Sequence, residues 1–329
     1  MPTNVGPEYH SAELKFRQAK TREEKIACLE EMITVMPKHK GTDKLRSTLN
    51  QKLKKLKEGG DEKKGGKRQA VTVPKEGAAQ VMLLGPPNSG KSQIINSLTK
   101  ATPEIAAYPF TTRMPVPGMM PFEDVNIQLV EMPAITETAF EIWTPDIVRK
   151  ADLALIIVDL ASPDLLEILD PIVSKLQKHY IFLCKQIPET EERKVSAAYI
   201  RTLIFGNKID HPEAKDNLEM FKEWLANRFE FIGQYCAQDP NSLQEFPKQL
   251  FEALQIIRVY TKAPGKKIEK KDPIILPVGS NTMEAAQSLH KEIAHKLKFA
   301  RVWGEGMHDG QQIARDHVLQ DGWALEFHL

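Results

Sequence analysis

Apolar positions along the chain change their period twice. Between residues 21 and 57 they recur every three or four positions, as Ile26, Leu29, Ile33 and Met36 and then as Leu45, Leu49, Leu53 and Leu56. This is the period of helices that bury one stripe. Thr21 and Glu24 have capping-box spacing ahead of the first stripe, Pro37 and Gly41 interrupt the pattern, and Thr42 is placed to cap the second. The pattern predicts an N-terminal helical hairpin over residues 1–58. GGDEKKGGKRQ follows, with nothing to bury, and predicts a basic, Gly-rich linker over residues 59–78.

From residue 79 to 257 short apolar runs alternate with helical patterns: VMLLG (81–85), VNIQLV (125–130), LALIIVD (153–159), TLIFGN (202–207) and FIGQY (231–235). Nearly continuous apolar strands between helices predict an α/β domain, with a mostly parallel sheet covered by helices on both faces. Residues 258–329 have a third texture. RVYTKA, IILPV, RVWG and WALEFHL read as strands, and Thr282 to Leu297 as a helix, which predicts a small α+β unit.

Composition changes this picture only locally. The 45 Lys and Arg nearly balance the 44 Asp and Glu, yet Lys38, Lys40, Lys44, Arg46, Lys52, Lys54, Lys55, Lys57, Lys63, Lys64, Lys67 and Arg68 crowd one segment. That segment is either a solvated helix face or a surface for phosphates. The three cysteines, Cys28, Cys184 and Cys236, are far apart and lack metal-ligand spacing. No apolar run approaches the ~18 residues that would span a bilayer, and the first residues lack a signal-peptide core. A cytoplasmic protein without membrane segments is expected.

The chemistry concentrates in the middle texture. Gly85-Pro86-Pro87-Asn88-Ser89-Gly90-Lys91-Ser92 matches GxxxxGK[ST], directly after an apolar run and ahead of a helical pattern that Gln93 continues. Glycines let backbone N–H groups curl around phosphate oxygens, and the helix N-terminus adds partial positive charge. Lys91 is expected to reach the β and γ phosphates and Ser92 to ligate Mg²⁺. Asn207-Lys208-Ile209-Asp210 follows a later run and has the NKxD pattern of guanine readers. The Asp210 carboxylate can accept two hydrogen bonds from guanine, which adenine cannot offer. Lys208 can lay its stem on the base, and Asn207 can brace the phosphate loop. Cys236-Ala237-Gln238 follows the last run, in the slot where such proteins carry Ser-Ala against the guanine O6. An ATP-using kinase or ATPase is disfavoured by the NKID segment.

GPPNSGKS, AAYPFTTRMPVPG (106–118), EMPAITETA (131–139) and NKID together resemble the Obg/DRG (developmentally regulated GTP-binding) family of translation-factor-class GTPases. RVYTKAPG, FARVWG and ARDHVLQDGWALEF resemble a TGS domain, a ubiquitin-like β-grasp module of DRG proteins and threonyl-tRNA synthetases. The resemblance implies a P-loop GTPase domain at 79–257, a TGS domain at 258–329, and GTP or GDP with Mg²⁺ as ligands. It makes YPFTT the first switch, with Thr111 and Thr112 at the nucleotide and Thr112 completing the Mg²⁺ shell. It also implies slow hydrolysis, a ribosome or structured-RNA partner met through residues 38–68 and the TGS domain, and a DRG-type regulatory protein partner.

Two departures stand out. The family's second switch reads Asp-x-Pro-Gly, but here it is Glu131-Met132-Pro133-Ala134. Glu131 is one methylene longer, and Ala134 keeps its N–H but gives up the freedom of glycine. The next residue, where Ras-like proteins orient water with glutamine, is Ile135. Asn88 stands where potassium-dependent relatives ligate K⁺; its other reading is a hydrogen bond within its own loop. Two functions follow: a slow GTPase switch, or a nucleotide-gated adaptor with negligible hydrolysis. His290, His295, His308, His317 and His328 all fall in the last unit and read as solvated or half-buried.

Overall fold

The computed structural model describes residues 7–19, 22–37, 42–57, 71–99, 114–167, 169–236 and 239–329. Residues 1–69 and 70–329 form two compact units.

The first unit contains the predicted hairpin and adds a helix ahead of it. Its described residues form three helices, α1 (Pro7–Gln18), α2 (Arg22–Val35) and α3 (Asp43–Lys57), with α2 packed against both others. Its core is Tyr9, Ala12, Leu29, Met32, Met36 and Leu49. The first helix escaped sequence reading because Tyr9, Ala12 and Phe16 are too few to make an apolar stripe, although Ala12 is small enough to be fully buried. Met32 is buried and Ile33 only half-buried, so the buried stripe runs 29–32–36. Thr42 Oγ1 donates to the Pro37 carbonyl at 2.6 Å, spanning the break ahead of α3.

The predicted linker ends early. Val71 and Val73 pack against the next unit's core, and the Pro74 carbonyl accepts from the side chains of both Gln80 and Gln128. Two apolar β-branched residues at alternate positions were overlooked in a stretch judged by its charges.

The second unit continues with β1 (Ala79–Leu84), α4 (Lys91–Leu98), β2 (Val116–Phe122), β3 (Val125–Glu131), α5 (Thr144–Val148), β4 (Leu153–Asp159), α6 (Leu169–Lys178), β5 (Ile181–Cys184), β6 (Ala198–Asn207), α7 (Ala214–Leu225), β7 (Glu230–Tyr235) and α8 (Phe246–Leu254). The sheet order is β2-β3-β1-β4-β6, with β5 pairing the first half of β6 and β7 the second. All pairs are parallel except β2–β3. β1 and β4 are buried on both faces, which is why their sequences are apolar without alternation. β2 has no counterpart among the expected strands; two prolines and a glycine hide a strand that survives because it lies at the sheet edge.

The rest of this unit holds β8 (Ile256–Thr261), β9 (Ile274–Pro277), α9 (Thr282–Leu289), α10 (Lys291–Lys296), β10 (Phe299–Trp303), β11 (Gln311–Ile313) and β12 (Trp323–His328). The sheet order is β11-β10-β12-β8-β9, with only β12–β8 parallel. The single helix expected from 282 to 297 is two, because His290 is extended (φ −165°) and its Nδ1 accepts from the Glu292 N–H at 3.2 Å, starting a new helix.

Arg258 joins the two sheets. Its guanidinium bonds Asp321 beside its own strand and reaches Glu123 and Asp124 in the β2–β3 turn, the latter at 2.8 Å. It also lies over the stacked rings of Phe122 and Phe251. Tyr260 donates to Asp124 as well. Burial and then the Asp124 hydrogen bond push the Tyr260 phenol up to about 12. The hydrogen bonds that Arg258 donates to Asp321 lead the set of contacts that hold it charged.

Candidate nucleotide site

The site begins where β1 ends. Its last apolar residue, Leu84, is followed by a loop whose Gly85, Asn88 and Gly90 all have positive φ (150°, 60° and 93°). Gly90 has a second reason to be glycine: a Cβ there would lie 1.9 Å from Asn207 Nδ2. That amide donates to the Ser89 carbonyl at 2.9 Å, so the first residue of the NKID segment is wedged against the phosphate loop. Asn207 is itself buried, held at the end of β6.

Lys91 opens α4 and is buried, with Nζ donating to the carbonyls of Gly85 (3.2 Å) and Pro86 (2.7 Å). Burial pushes this ammonium down to about 8, although the charge of Glu131 pulls the other way. Ser89 is buried and donates to Pro86, closing the turn. Ser92 Oγ donates to Glu131 Oε1 at 2.5 Å. The longer carboxylate therefore still reaches the loop hydroxyl. A hydroxyl and a carboxylate side by side are hard oxygen donors of the kind Mg²⁺ takes.

Beyond Glu131 the chain turns along the loop: the Met132 N–H donates to Leu83 and the Ile135 N–H to Gly85. Ala134 is outside the positive-φ region, so its Cβ is unstrained. Ile135 is buried in the sheet's core and is not among the residues that line the cleft. Pro87, Asn88, Gly90 to Gln93, Met114, Val116 and Glu131 to Ala134 line a cleft of ≈ 850 Å³. The side chain of Asn88 is exposed and makes no hydrogen bond to a described residue, so the alternative of a bond within its own loop is not found.

The base end is set by strand pairing. Asn207 is in register with Tyr235, and the Ile209 N–H donates to the Tyr235 carbonyl, which brings NKID beside Cys236. Asp210 is exposed and without a partner among the described residues. Lys208 (φ 62°) sends its ammonium to Asp159 Oδ2 at 2.5 Å. Asp159, which sequence reading took only as a strand end, is thus the anchor of the NKID lysine. The signal was available: an acid closing an apolar strand seldom lacks a partner. Ser242, also missed, accepts from the Cys236 N–H and donates to its carbonyl. Thr111, Thr112, Ala237 and Gln238 lie outside the described residues. Among the described residues, no cluster of three His, Cys, Asp or Glu could hold a metal, and no helix is long and apolar enough to cross a membrane.

Known proteins share this arrangement. Residues 80–186 match a family described as 50S ribosome-binding GTPase, and residues 257–328 match the TGS domain. An uncharacterized GTP-binding protein of Methanocaldococcus jannaschii is 28% identical over 91% of both chains. Developmentally-regulated GTP-binding protein 1 of Xenopus laevis is 26% identical over 94% of this chain and 95% of its own. A Dictyostelium discoideum homologue of developmentally-regulated GTP-binding protein 2 is 27% identical over 91% and 96%. Sheet, phosphate loop and β-grasp unit make this chain a P-loop GTPase-domain protein with a TGS domain. Among the relatives it resembles along nine-tenths of its length are DRG-type GTP-binding proteins.

Proposed function

We propose that the chain is a guanine-nucleotide switch that binds Mg·GTP and hydrolyses it slowly to GDP and phosphate. The observation that carries this reading is the Asn207 wedge, which ties the base-reading segment to the phosphate loop. In the bound state Lys91 leaves the loop carbonyls for the β and γ phosphates, and the loop N–H groups take the remaining oxygens. Ser92, Thr112 and the Glu131 carboxylate are the residues that would hold Mg²⁺, which neutralises charge on the phosphate oxygens when bound. Ile135 is buried and cannot orient water, so hydrolysis lacks the side chain that speeds it in Ras-like proteins.

Asn88 offers an unpartnered amide on the rim of the cleft, a suitable oxygen for K⁺. Single-turnover hydrolysis should rise when K⁺ replaces Na⁺ at constant ionic strength. Asn88→Gly, which tolerates φ 60° as alanine does not, should erase the difference. No cation effect in the parent leaves Asn88 as a turn residue only. The same assay separates the second reading, a nucleotide-gated adaptor, which predicts no turnover in either salt; the altered second switch, Glu131 and Ala134, is what favours it.

Asp210 is assigned the base. Asp210→Asn exchanges an acceptor for a donor and should weaken GTP by about two orders of magnitude while favouring xanthosine triphosphate. Undiminished GTP binding by this variant would remove Asp210 from the base site.

The partner is proposed to be the ribosome or another structured RNA assembly, with a DRG-type regulatory protein as a further partner and the cytoplasm as the compartment. The TGS match and the lysine-rich 38–68 segment support this. Of that segment, Lys38, Lys40, Lys63, Lys64, Lys67 and Arg68 lie outside the described residues.

A further inference from the structure

We propose that the uncovered half of the TGS sheet, with the loop between β8 and β9, is a binding face for single-stranded RNA. The proposal rests on the RNA-linked reading above and names the surface that carries it.

Strand alternation sorts the sheet. Ile257, Val259, Ala300, Val302, Trp323 and Leu325 point into the core, so their neighbours in sequence face outward. The GTPase domain takes the first part of that outer face: Ile256 and Ile275 pack into its core, and Arg258 and Tyr260 bond Asp124. What stays accessible is Phe299, Arg301 and Trp303 on β10 and His328 on β12, over a buried pair formed by Glu326 on β12 and Lys262 just past β8. Phe299 pairs with His328 across the strands and stacks on it at 4.6 Å. The Lys262 ammonium sits 4.4 Å from the Trp303 ring centroid. Arg301 stands between the two aromatic positions, exposed and without a partner among the described residues.

The face carries no free negative charge of its own. Glu326 is bonded by Lys262, and its other oxygen lies 2.8 Å from His328 Nε2. The β8–β9 loop adds Lys266, Lys267, Lys270 and Lys271 against Glu269 and Asp272, all exposed. Lys270 lies 5.7 Å from the Tyr260 ring, so the loop borders this face. Lysines alone would serve any polyanion. Half-buried rings with an unpaired arginine between them suit unstacked bases, which a duplex keeps hidden.

The test is fluorescence anisotropy of a labelled twelve-nucleotide unstructured RNA, free or annealed to its complement, on the full chain loaded with GDP across a salt series. Ribosome co-sedimentation runs alongside. The single strand should bind more tightly than the duplex. Lys267→Glu with Lys271→Glu should weaken it at least about tenfold and flatten the salt dependence, since fewer counterions are released. Trp303→Leu should weaken it by about tenfold or more with little change in salt dependence. GDP affinity and the melting curve report whether each variant is folded, and the exposed lysine pair keeps the test valid if Trp303→Leu does not fold. Equal binding of strand and duplex, equal competition by polyglutamate, or indifference to the lysine reversals overturns the proposal. If the parent then still sediments with ribosomes, the RNA-linked reading stands without this face; if it binds neither RNA nor ribosomes, both fall.

Discussion

Lys91→Ala should lower GTP and GDP affinity by about two to three orders of magnitude. Charge-assisted hydrogen bonds to phosphate are the strong ones, each contributing about 1.5–3 kcal/mol, and the variant removes those made by one ammonium. The buried environment of Lys91 adds a pH signature. Its folded value of about 8 lies below the ordinary 10.5, so the nucleotide-free fold binds fewer protons than the unfolded chain between those values. The penalty for burying the charge is complete below pH 8 and is relieved as pH rises toward 10.5. The stability of the nucleotide-free parent should therefore rise across that window relative to Lys91→Met. Phosphates restore the charge, so GDP binding at pH 9 should take up protons, read by calorimetry in buffers of different ionisation heat. Retained affinity in Lys91→Ala, or no proton uptake, would contradict the assignment of this lysine to the phosphates.

Arg258→Ala should destabilise the junction between the GTPase and TGS domains by about 3 kcal/mol. Removing one partner of a buried ion pair costs about 3–5 kcal/mol because the other charge is stranded; here the low end applies, since Glu123 and Asp321 keep partial access to water. The loss of the guanidinium from Phe122 and Phe251 adds to it. Urea unfolding should separate into two transitions, with early cleavage near residues 254–256 by a trace protease. A single transition unchanged from the parent would show that Arg258 does not hold the domains together.

What could be read from the sequence was what depends on local pattern. The apolar runs at 81–84 and 153–158 became strands because both faces of those strands are buried and leave a continuous apolar signal. GPPNSGKS and NKID could be placed because each needs a strand before it, and each has one. What failed depends on partners distant in sequence. α1 is held by Ala12 and Tyr9 against α2, a contact no local period reveals. β2 is an edge strand written in proline and glycine. The Lys208–Asp159 pair joins residues 49 apart, and Arg258 gathers carboxylates from 63 and 134 residues away, so the sequence showed only isolated charges.

The central claim is that one site joins phosphate loop and guanine reader. Competition against a fluorescent GDP tests it most directly, with GTP, GDP, XTP and ATP titrated into the parent chain in Mg²⁺. GTP and GDP should displace the probe at comparable low concentrations, and ATP and XTP should fail even in large excess. Displacement by ATP as effective as by GTP would contradict the account, since it would mean that Asn207 braces the loop while Asp210 does not read the base.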